Sequence, residues 1–493
     1  MSLARKILSN TVAQVGGKLI VALLGLAVVK ISTNYLSLEG YGQYIAIYEF
    51  LAFFGIAADL GLFTIAVKEM SEDEDQTEKI IGNILSLRTI LVTLTMLAAI
   101  ITVFSVDRYQ DTKVPIGVAI ASITVFFTIL DGTISSVLQA KLKMHIASFT
   151  TIVGKAISLG FMIYIVFYGF PQDNDTGFYM LIAAGAIGNF IMLLMDNYYV
   201  SKITPLKYRF DLDLWRDVLK KSLPYGIALI LSTIYFRIDS ILIFTIRGPQ
   251  EVGIYGVAMK MLEYISIVPL YFMNSVLPVL TRTIKEKSDR YKTVIHYAFD
   301  FLSALSIPIV VGGVILAYPI IFIISKEDFL SRVSEGFYGS DIALQILIFA
   351  LLFQFLNVLF AFILIAVNKQ MKLLYINGIG ALFNIIANLL VIPTYGFIGA
   401  ATTSVISEFI ILIGTYILAK RYLDFTIRPY KLLTIIFSAL MMGLAVRGLQ
   451  PITYQYIQNW NVILLVPIGA AIYIGMLFAT KTVDKDMLKL LRR

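Results

Sequence analysis

Apolar segments about as long as a bilayer is thick recur along the whole chain. A helix needs ~20 mostly apolar residues to cross the hydrocarbon core of a membrane. The chain is 58% hydrophobic and only 15% charged, whereas soluble proteins average ~25% charged residues. The sequence therefore predicts an all-α, polytopic membrane protein with about 14 transmembrane helices. The predicted spans are residues 11–31, 43–67, 81–106, 115–140, 146–170, 178–200, 221–246, 253–281, 295–324, 342–367, 373–393, 398–419, 432–448 and 460–480.

Lysine and arginine are concentrated in every second connection between the spans. The N-terminal segment, the alternate connections and the C-terminal tail hold most of the 40 basic residues. Because short cytoplasmic connections carry an excess of Lys and Arg, this pattern predicts that both termini are cytoplasmic. The net charge of +8 then reflects orientation in the cytoplasmic membrane, and nucleic-acid binding is not expected. The first apolar run has no small-residue cleavage site, so we interpret it as a spanning helix rather than a signal peptide.

A weak internal repeat relates the two halves of the chain. Gly42-Gln43-Tyr44 opens the second span, and Gly253-Ile254-Tyr255 opens the eighth, six spans later. An even number of spans gives the halves the same orientation, and parallel repeats of this kind place a substrate site near the membrane midplane and permit alternating access. We expect two six-helix bundles plus two C-terminal helices. The predicted domains are an N-terminal bundle at residues 1–200, a cytoplasmic linker at 201–221 that includes a short interfacial helix, a C-terminal bundle at 222–420, and two extra helices with a tail at 421–493.

Ionisable residues lie inside several predicted spans. Each costs at least ~2.5 kcal/mol at the centre of a membrane helix unless another charge or a water-filled cavity compensates it. We predict that the cations contact an anionic substrate and that the acids serve as coupling groups or ion-pair partners. An alternative is that all of them form ion pairs between helices. The candidate cations are Lys18, Arg237 and Lys260, and the candidate acids are Glu49, Asp59, Asp239 and Glu263.

The spacing of these residues limits how they can pair. Lys260 and Glu263 are three positions apart and share one helix face. Arg237 and Asp239 are two apart, so they point to nearly opposite faces and do not neutralise each other. A guanidinium in a low-dielectric cavity suits the oxygens of a diphosphate. Tyrosines on the same two spans are candidate sugar contacts, namely Tyr235, Tyr255 and Tyr264.

Four further charged residues occur inside other spans. We interpret their side chains as reaching toward a membrane interface or lining a less central part of a bundle. They are Arg88, Asp131, Lys155 and Asp196.

Catalytic chemistry is not indicated. The chain contains no cysteine, which excludes disulfides and cysteine-ligated metals. It has no glycine-rich phosphate loop followed by Lys-Ser/Thr, and no soluble segment large enough for a catalytic domain. We therefore expect neither an enzyme nor a cofactor or metal site.

Five short motifs occur in order along the chain. They are Tyr35-Leu36-Ser37-Leu38-Glu39-Gly40-Tyr41-Gly42-Gln43-Tyr44, Ser222-Leu223-Pro224, Arg237-Ile238-Asp239, Val252-Gly253-Ile254-Tyr255 and Leu277-Pro278-Val279-Leu280-Thr281-Arg282. In this order they resemble polysaccharide exporters, the O-antigen flippase family of the multidrug/oligosaccharidyl-lipid/polysaccharide superfamily. The resemblance implies that spans one, two, seven and eight line a central cavity. It also implies flipping of an undecaprenyl-diphosphate-linked oligosaccharide, such as an O-antigen, capsule or exopolysaccharide repeat unit, to the outer leaflet.

The leading hypothesis is thus a lipid-linked oligosaccharide flippase. Its expected partners are that substrate, membrane lipids, H⁺ or Na⁺ as a coupling ion and a polysaccharide polymerase complex. One alternative is a cation-coupled exporter of small molecules or drugs in which Asp59, Asp239 and Glu263 couple transport. A second is a lipid II flippase, which fits less well because Ser32-Thr33-Asn34-Tyr35 stands where such proteins carry an arginine-aspartate pair. A third is a membrane scaffold for glycan assembly.

Overall fold

Helices are the regular secondary structure of the described part of the chain, apart from one isolated bridge between Arg332 and Phe337. The computed structural model describes residues 3–171, 175–286, 288–427 and 429–482. Within them the helices are α1 (Leu3–Tyr35), α2 (Leu38–Asp59), α3 (Leu62–Glu72), α4 (Thr77–Ser105), α5 (Asp107–Gln110), α6 (Val114–Ala140), α7 (Met144–Tyr164), α8 (Asp175–Ser201), α9 (Leu212–Arg247), α10 (Pro249–Ile265), α11 (Ile267–Lys285), α12 (Arg290–Ile324), α13 (Ser340–Ala366), α14 (Met371–Tyr422), α15 (Pro429–Ile457) and α16 (Val462–Ala479).

These helices account for every predicted span. Eleven helical stretches of the described residues are long and apolar enough to cross a membrane. Two of them, Met371–Tyr422 and Pro429–Ala479, have 52 and 51 residues, which is enough for two crossings each at ~20 residues per crossing. The 36-residue α9 coincides with the remaining predicted span. The prediction of an all-α, polytopic fold is therefore confirmed.

Helix α14 contains a sharp internal break that separates the eleventh and twelfth predicted spans. Gly396 has φ 55° and ψ −138° inside this helix. Only glycine adopts that backbone conformation without steric cost, because it has no Cβ. The break lies where the sequence predicts the connection between the two spans.

The predicted interfacial helix of the linker is wrong as a separate element. Residues Leu212 to Arg247 form one continuous helix, so the amphipathic stretch is the first part of the seventh span. Asp211 begins it, since its side chain accepts a hydrogen bond from the Leu214 N–H at 3.1 Å. That bond and the ammonium of Lys79, 3.1 Å away, hold the pKa of the Asp211 carboxyl below its ordinary value.

By internal packing the chain divides into two compact units, Met1–Gly253 and Ile254–Arg493. Helix α9 packs with the first unit, against α2. The core of the first unit joins α3, α4, α6 and the early part of α9 around residues such as Ile81, Val137 and Val218. The half-repeat boundaries drawn from the sequence stay a prediction.

In the second unit, the C-terminal helices α15 and α16 pack against α12. Their shared apolar core includes Leu316, Ile435 and Leu465. The Tyr473 hydroxyl donates a hydrogen bond to the Ala304 carbonyl of α12 at 2.9 Å. Helix α13 packs between α12 and α14.

The glycines of the repeated Gly-x-Tyr motif are packing points. A Cβ added to Gly42 would overlap the Pro249 carbonyl oxygen, and one added to Gly253 would lie 2.5 Å from the Leu38 carbonyl oxygen. The start of α2 and the start of α10 therefore approach each other backbone to backbone. Close helix packing therefore explains the glycines of the motif without a bound ligand.

We expect Gly42→Ala to lower the thermal stability of the purified protein, because overpacking against backbone typically costs ~1–3 kcal/mol. Gly132→Ala is the matched control. It also lies in a helix, but a Cβ there has no atom within 4 Å, and alanine is favoured over glycine in helix interiors by up to ~1 kcal/mol. Thermal unfolding in detergent compares the two variants. Equal melting temperatures would contradict the packing role.

Candidate functional site

Arg237 forms an ion pair with Glu49 inside the membrane-spanning part of the first unit. Its Nη1 donates to both Glu49 carboxylate oxygens at 2.7 Å, which joins α9 to α2. The Arg237 side chain is 27% exposed, while that of Glu49 is 7% exposed. The predicted alternative of an interhelical ion pair is thus observed for Arg237. The Arg237 side chain nevertheless keeps part of its surface accessible.

Asp239 is buried, with 3% of its surface exposed. It lies two residues after Arg237 on α9 and therefore on nearly the opposite face of the helix. Glu49 supplies a carboxylate for Arg237.

Asp59 and Arg88 form a second interhelical pair at the end of α2. The Arg88 Nη2 contacts Asp59 Oδ1, and the Arg88 side chain is 2% exposed. The Asp59 carboxylate also accepts a hydrogen bond from the Gly61 N–H at 3.3 Å. At this point the backbone turns through Leu60 (φ 45°) and Gly61 (φ 75°), and α3 begins. The pair therefore fixes a break in the second span.

Of the two interpretations offered by the sequence for Arg88, burial excludes a side chain that reaches toward an interface. Its guanidinium is fully enclosed, and its Nε and Nη1 have no hydrogen-bond partner in the described part of the chain. Asp131 and Asp196 are likewise buried, at 6% and 1% exposure. These three residues belong to the interior of the first unit, which was the other option that their positions allowed.

Lys260 and Glu263 pair along α10 in the second unit. Their Nζ and Oε2 atoms are 2.9 Å apart, and the side chains are 22% and 47% exposed. The predicted shared face is observed. This pair lies within one helix and therefore does not join two helices.

Lys18 lies on an exposed part of α1. Its charge acts on Lys155 of α7, which in turn lies near Asp131 of α6. Asp196 of α8 lies close to Asp131. The structure thus places Lys18 near Lys155, one of the residues that the sequence placed outside the central group.

The candidate sugar-contacting tyrosines have different surroundings. Tyr255 is fully buried in the second unit, and its hydroxyl lies 3.3 Å from the Ser404 Oγ. A fully buried ring has no face to offer a sugar, so burial argues against that contact. Tyr264 is partly buried. The side chain of Tyr235 lies outside the described residues.

Sequence reasoning missed three buried charges of the second unit. Glu408 of α14 is 6% exposed and lies within the twelfth predicted span. Asp300 of α12 and Lys431 of α15 form a buried pair at 3.8 Å, with side chains 5% and 12% exposed. A scan of every span for ionisable residues finds Glu408 and Asp300. Lys431 lies one residue before the thirteenth predicted span, residues 432–448.

The helices are long and apolar enough to cross a bilayer, and ion pairs join several of them. The chain is therefore a multi-pass membrane protein with a transporter-type fold. The sequence profile of the family described as "Polysaccharide biosynthesis protein" matches residues 7–284, more than half of the chain. The protein belongs to this family. The MatE profile also matches, over residues 224–390.

Two curated relatives are similar in sequence. One is "Capsular polysaccharide biosynthesis protein CapF" of Staphylococcus aureus, with 24% identity over 268 residues, 53% of this chain and 64% of the relative. The other is "Uncharacterized membrane protein MJ1068" of Methanocaldococcus jannaschii, with 27% identity over 359 residues, 69% of this chain and 65% of the relative. The chain thus spans slightly less than two thirds of the length of both.

Solved structures share the fold. "Lipid II flippase MurJ, inward closed conformation" superposes with a TM-score of 0.73 at 16% identity, covering 95% of this chain and 98% of that chain. An inward-facing multidrug resistance MATE family transporter superposes with a TM-score of 0.65 at 15% identity, covering 83% of this chain and 97% of that chain. The predicted membership of the multidrug/oligosaccharidyl-lipid/polysaccharide superfamily is confirmed.

We expect Asp59→Ala to destabilise the protein strongly. The substitution leaves the Arg88 charge buried without its partner, which typically costs ~3–5 kcal/mol. Replacing both residues, as Asp59→Ala with Arg88→Met, should recover most of that loss. Thermal unfolding in detergent measures both.

The matched control for this pair is Arg282→Ala. Arg282 pairs with Glu286 at 2.8 Å, but the two side chains are 80% and 51% exposed. Exposed pairs contribute ~0–1 kcal/mol. If Asp59→Ala and Arg282→Ala shift the melting temperature equally, the buried pair has no special structural role.

Proposed function

We propose that this protein is a flippase that moves a lipid-diphosphate-linked oligosaccharide from the inner to the outer leaflet of the cytoplasmic membrane. The observation that carries the proposal is the partly exposed side chain of Arg237, a cation inside a membrane-spanning helix. Lys18 and Lys260 add two more accessible cations within predicted spans. All three are candidate contacts for the diphosphate of the substrate.

The chemistry of the substrate explains why such cations are retained. A diphosphate in hydrocarbon is very costly unless charge-assisted hydrogen bonds replace its water shell. A guanidinium already held by one carboxylate keeps its planar donor fork in a fixed orientation. Glu49 thereby orients Arg237. It also lowers the free-energy cost of the Arg237 charge inside the membrane when no substrate is bound.

The known relatives support the same class of substrate. The family is described by polysaccharide biosynthesis, and the S. aureus relative by capsular polysaccharide biosynthesis. The MurJ structure, which shares the fold, is described as a lipid II flippase. An O-antigen, capsule or exopolysaccharide repeat unit fits this set, and a polysaccharide polymerase is the corresponding partner. Transport of this kind requires no enzymatic step by the chain itself.

A cation-coupled exporter of small molecules is the second candidate function. The MatE profile match and the shared fold of the multidrug transporter favour it. An organic cation would, however, be repelled by Lys18, Arg237 and Lys260. In that case the acids Asp59, Asp239 and Glu263 would have to form the binding site.

We expect Arg237→Gln to abolish surface polysaccharide in a host that lacks its own copy of the gene, because the substrate diphosphate loses its donor fork. The exchange of both partners, Arg237→Glu with Glu49→Arg, tests whether the pair is only structural. The exchange keeps the ion pair but moves the cation to α2. If Arg237 contacts substrate, the exchanged protein folds and reaches the membrane but exports no polysaccharide.

Lys68→Gln is the control for charge removal. Lys68 is a cation of α3 with an exposed side chain, and it pairs with Glu72 at 3.8 Å. Export should stay normal with this variant. If the protein with Arg237 and Glu49 exchanged exports polysaccharide at the normal level, Arg237 has only a structural role. The main support for a diphosphate substrate is then lost.

A further inference from the structure

A short segment between α8 and α9 runs along the start of α4. It comprises residues 205–211, which have no regular secondary structure. Its last residue, Asp211, has an extended backbone with φ −119° and ψ 101°. We call residues 205–211 the strap. The function proposed above gives the strap no role.

Backbone hydrogen bonds hold the strap against α4. The Arg209 N–H donates to the Gly82 carbonyl oxygen at 3.2 Å and to the Ser86 Oγ at 3.0 Å. The Asp211 N–H donates to the Asn83 Oδ1 at 2.7 Å. All three acceptors belong to α4. The strap is therefore a fixed part of the first unit.

Two ion pairs direct the charged side chains of the strap toward α4. The Arg209 Nη2 donates to the Glu78 Oε1 at 2.5 Å, and the Lys79 Nζ lies 3.1 Å from the Asp211 Oδ2. Both partners lie in the first turn of α4. Successive side chains of an extended segment point to opposite sides. The residues next to Arg209 and Asp211 therefore point away from α4.

The side chains that point away from α4 are large and apolar. Tyr208 is 55% exposed, Phe210 is 70% exposed, and Leu212, the first residue of α9, is 74% exposed. The ring of Phe210 lies 5.8 Å from that of Trp215, centroid to centroid. Trp215 in turn packs against the apolar core of the first unit. The strap thus extends this core into an exposed apolar edge.

The length of α4 indicates where this edge lies in the membrane. The helix has 29 residues, which is ~43 Å at ~1.5 Å per residue, whereas the hydrocarbon core of a bilayer is ~30 Å thick. About four residues at each end of α4 then lie outside the hydrocarbon. The strap binds residues 82–86 of α4, and these lie just inside that boundary. Tyrosine and tryptophan are enriched at such a boundary.

Basic side chains accompany the apolar edge. Residues 202–210 contain three basic residues and no acidic one. Lys202 and Lys207 are exposed, and the Lys202 Nζ lies 3.8 Å from the ring centroid of Tyr198, which is 57% exposed. Lysines close to a membrane surface attract anionic lipid headgroups. A lipid surface also covers the apolar edge permanently, whereas a soluble partner would leave it in water whenever it dissociates.

We propose that the strap anchors the first unit to the cytoplasmic leaflet. Tyr208, Phe210 and Leu212 insert at the level of the lipid headgroups, and Lys202 and Lys207 bind anionic phospholipid. Because the strap is bonded to α4 and continues into α9, the anchor holds the starts of these two helices at one level in the membrane. An extended segment thus makes the interfacial contact that the sequence assigned to a helix. The anchor is independent of what the protein transports.

Tryptophan fluorescence of the full-length protein in phosphatidylcholine vesicles tests the anchor. The chain has two tryptophans, so Trp215→Phe with Trp460→Phe gives a background without this residue. In that background we expect Phe210→Trp to lose most of its emission when the lipid is brominated near the headgroup end of its acyl chains. Iodide on both sides of the membrane should have little effect. Leu212→Trp is an independent reporter that should behave in the same way, in case one variant does not fold.

Two control reporters define the limits of this measurement. Asp75 is exposed in the loop before α4, and Leu97 is 52% exposed within α4. Iodide should quench Asp75→Trp, and brominated lipid should quench Leu97→Trp. If Phe210→Trp and Leu212→Trp respond like Asp75→Trp, the strap lies in water and the proposal is overturned. That response is also the one expected of a docking site for a soluble protein.

A second comparison tests the preference for anionic lipid. Brominated phosphatidylglycerol should quench Phe210→Trp more strongly than the same fraction of brominated phosphatidylcholine. Adding Lys207→Gln should reduce this difference, because one of the attracting charges is lost. Adding Lys68→Gln, which removes an exposed cation of α3, should leave the difference unchanged. Equal quenching by the two lipids without either lysine substitution would overturn the anionic preference.

Discussion

A charge inside a bilayer-spanning helix must be compensated within the protein, and this constraint organises the first unit. Glu49 compensates Arg237, and Asp59 compensates Arg88. Each pair joins the second span to another helix, so the same contacts that remove the cost of burial also define which helices are neighbours. The two pairs differ in accessibility. Arg88 is sealed and structural, whereas Arg237 keeps an exposed part that a ligand can reach. That difference in exposure, rather than the presence of charge, separates a candidate binding residue from a structural one.

The sequence was sufficient to predict the spans but not the partners of the charges. Apolar length and basic connections are local properties, so all fourteen spans coincide with helices, and the glycine at position 396 marks the break between two of them. The partner of Arg237 is Glu49, far away in the chain, and no local pattern encodes that pairing. Only the Lys260 and Glu263 pair was predictable, because both residues lie on one helix at a spacing of three. For Arg88, Asp131 and Asp196 the sequence left an interfacial and a bundle-lining position open for the same reason, since the depth of a side chain in a bundle depends on neighbouring helices.

The motifs that pointed to the family have at least two different physical origins. The glycines at positions 42 and 253 permit close backbone contact between α2 and α10, so they report on the fold. Arg237 lies in a motif whose cation remains partly accessible, so it is the better indicator of a ligand. A resemblance based on the glycines alone would therefore support the architecture and leave the substrate open. This is consistent with a fold shared by a lipid II flippase and a multidrug transporter at only 15–16% identity.

The order of charges along the chain has a consequence for biogenesis. In the two interhelical pairs described above the acid precedes its cation, Glu49 before Arg237 and Asp59 before Arg88. A ribosome therefore delivers each carboxylate to the translocon before the matching guanidinium is synthesised. The later helix can then partition from the translocon against a counter-ion that has already been inserted. Glu49 of α2 is then already present when Arg237 of α9 is inserted, so truncated nascent chains are the material in which to compare the insertion of α9 with and without α2.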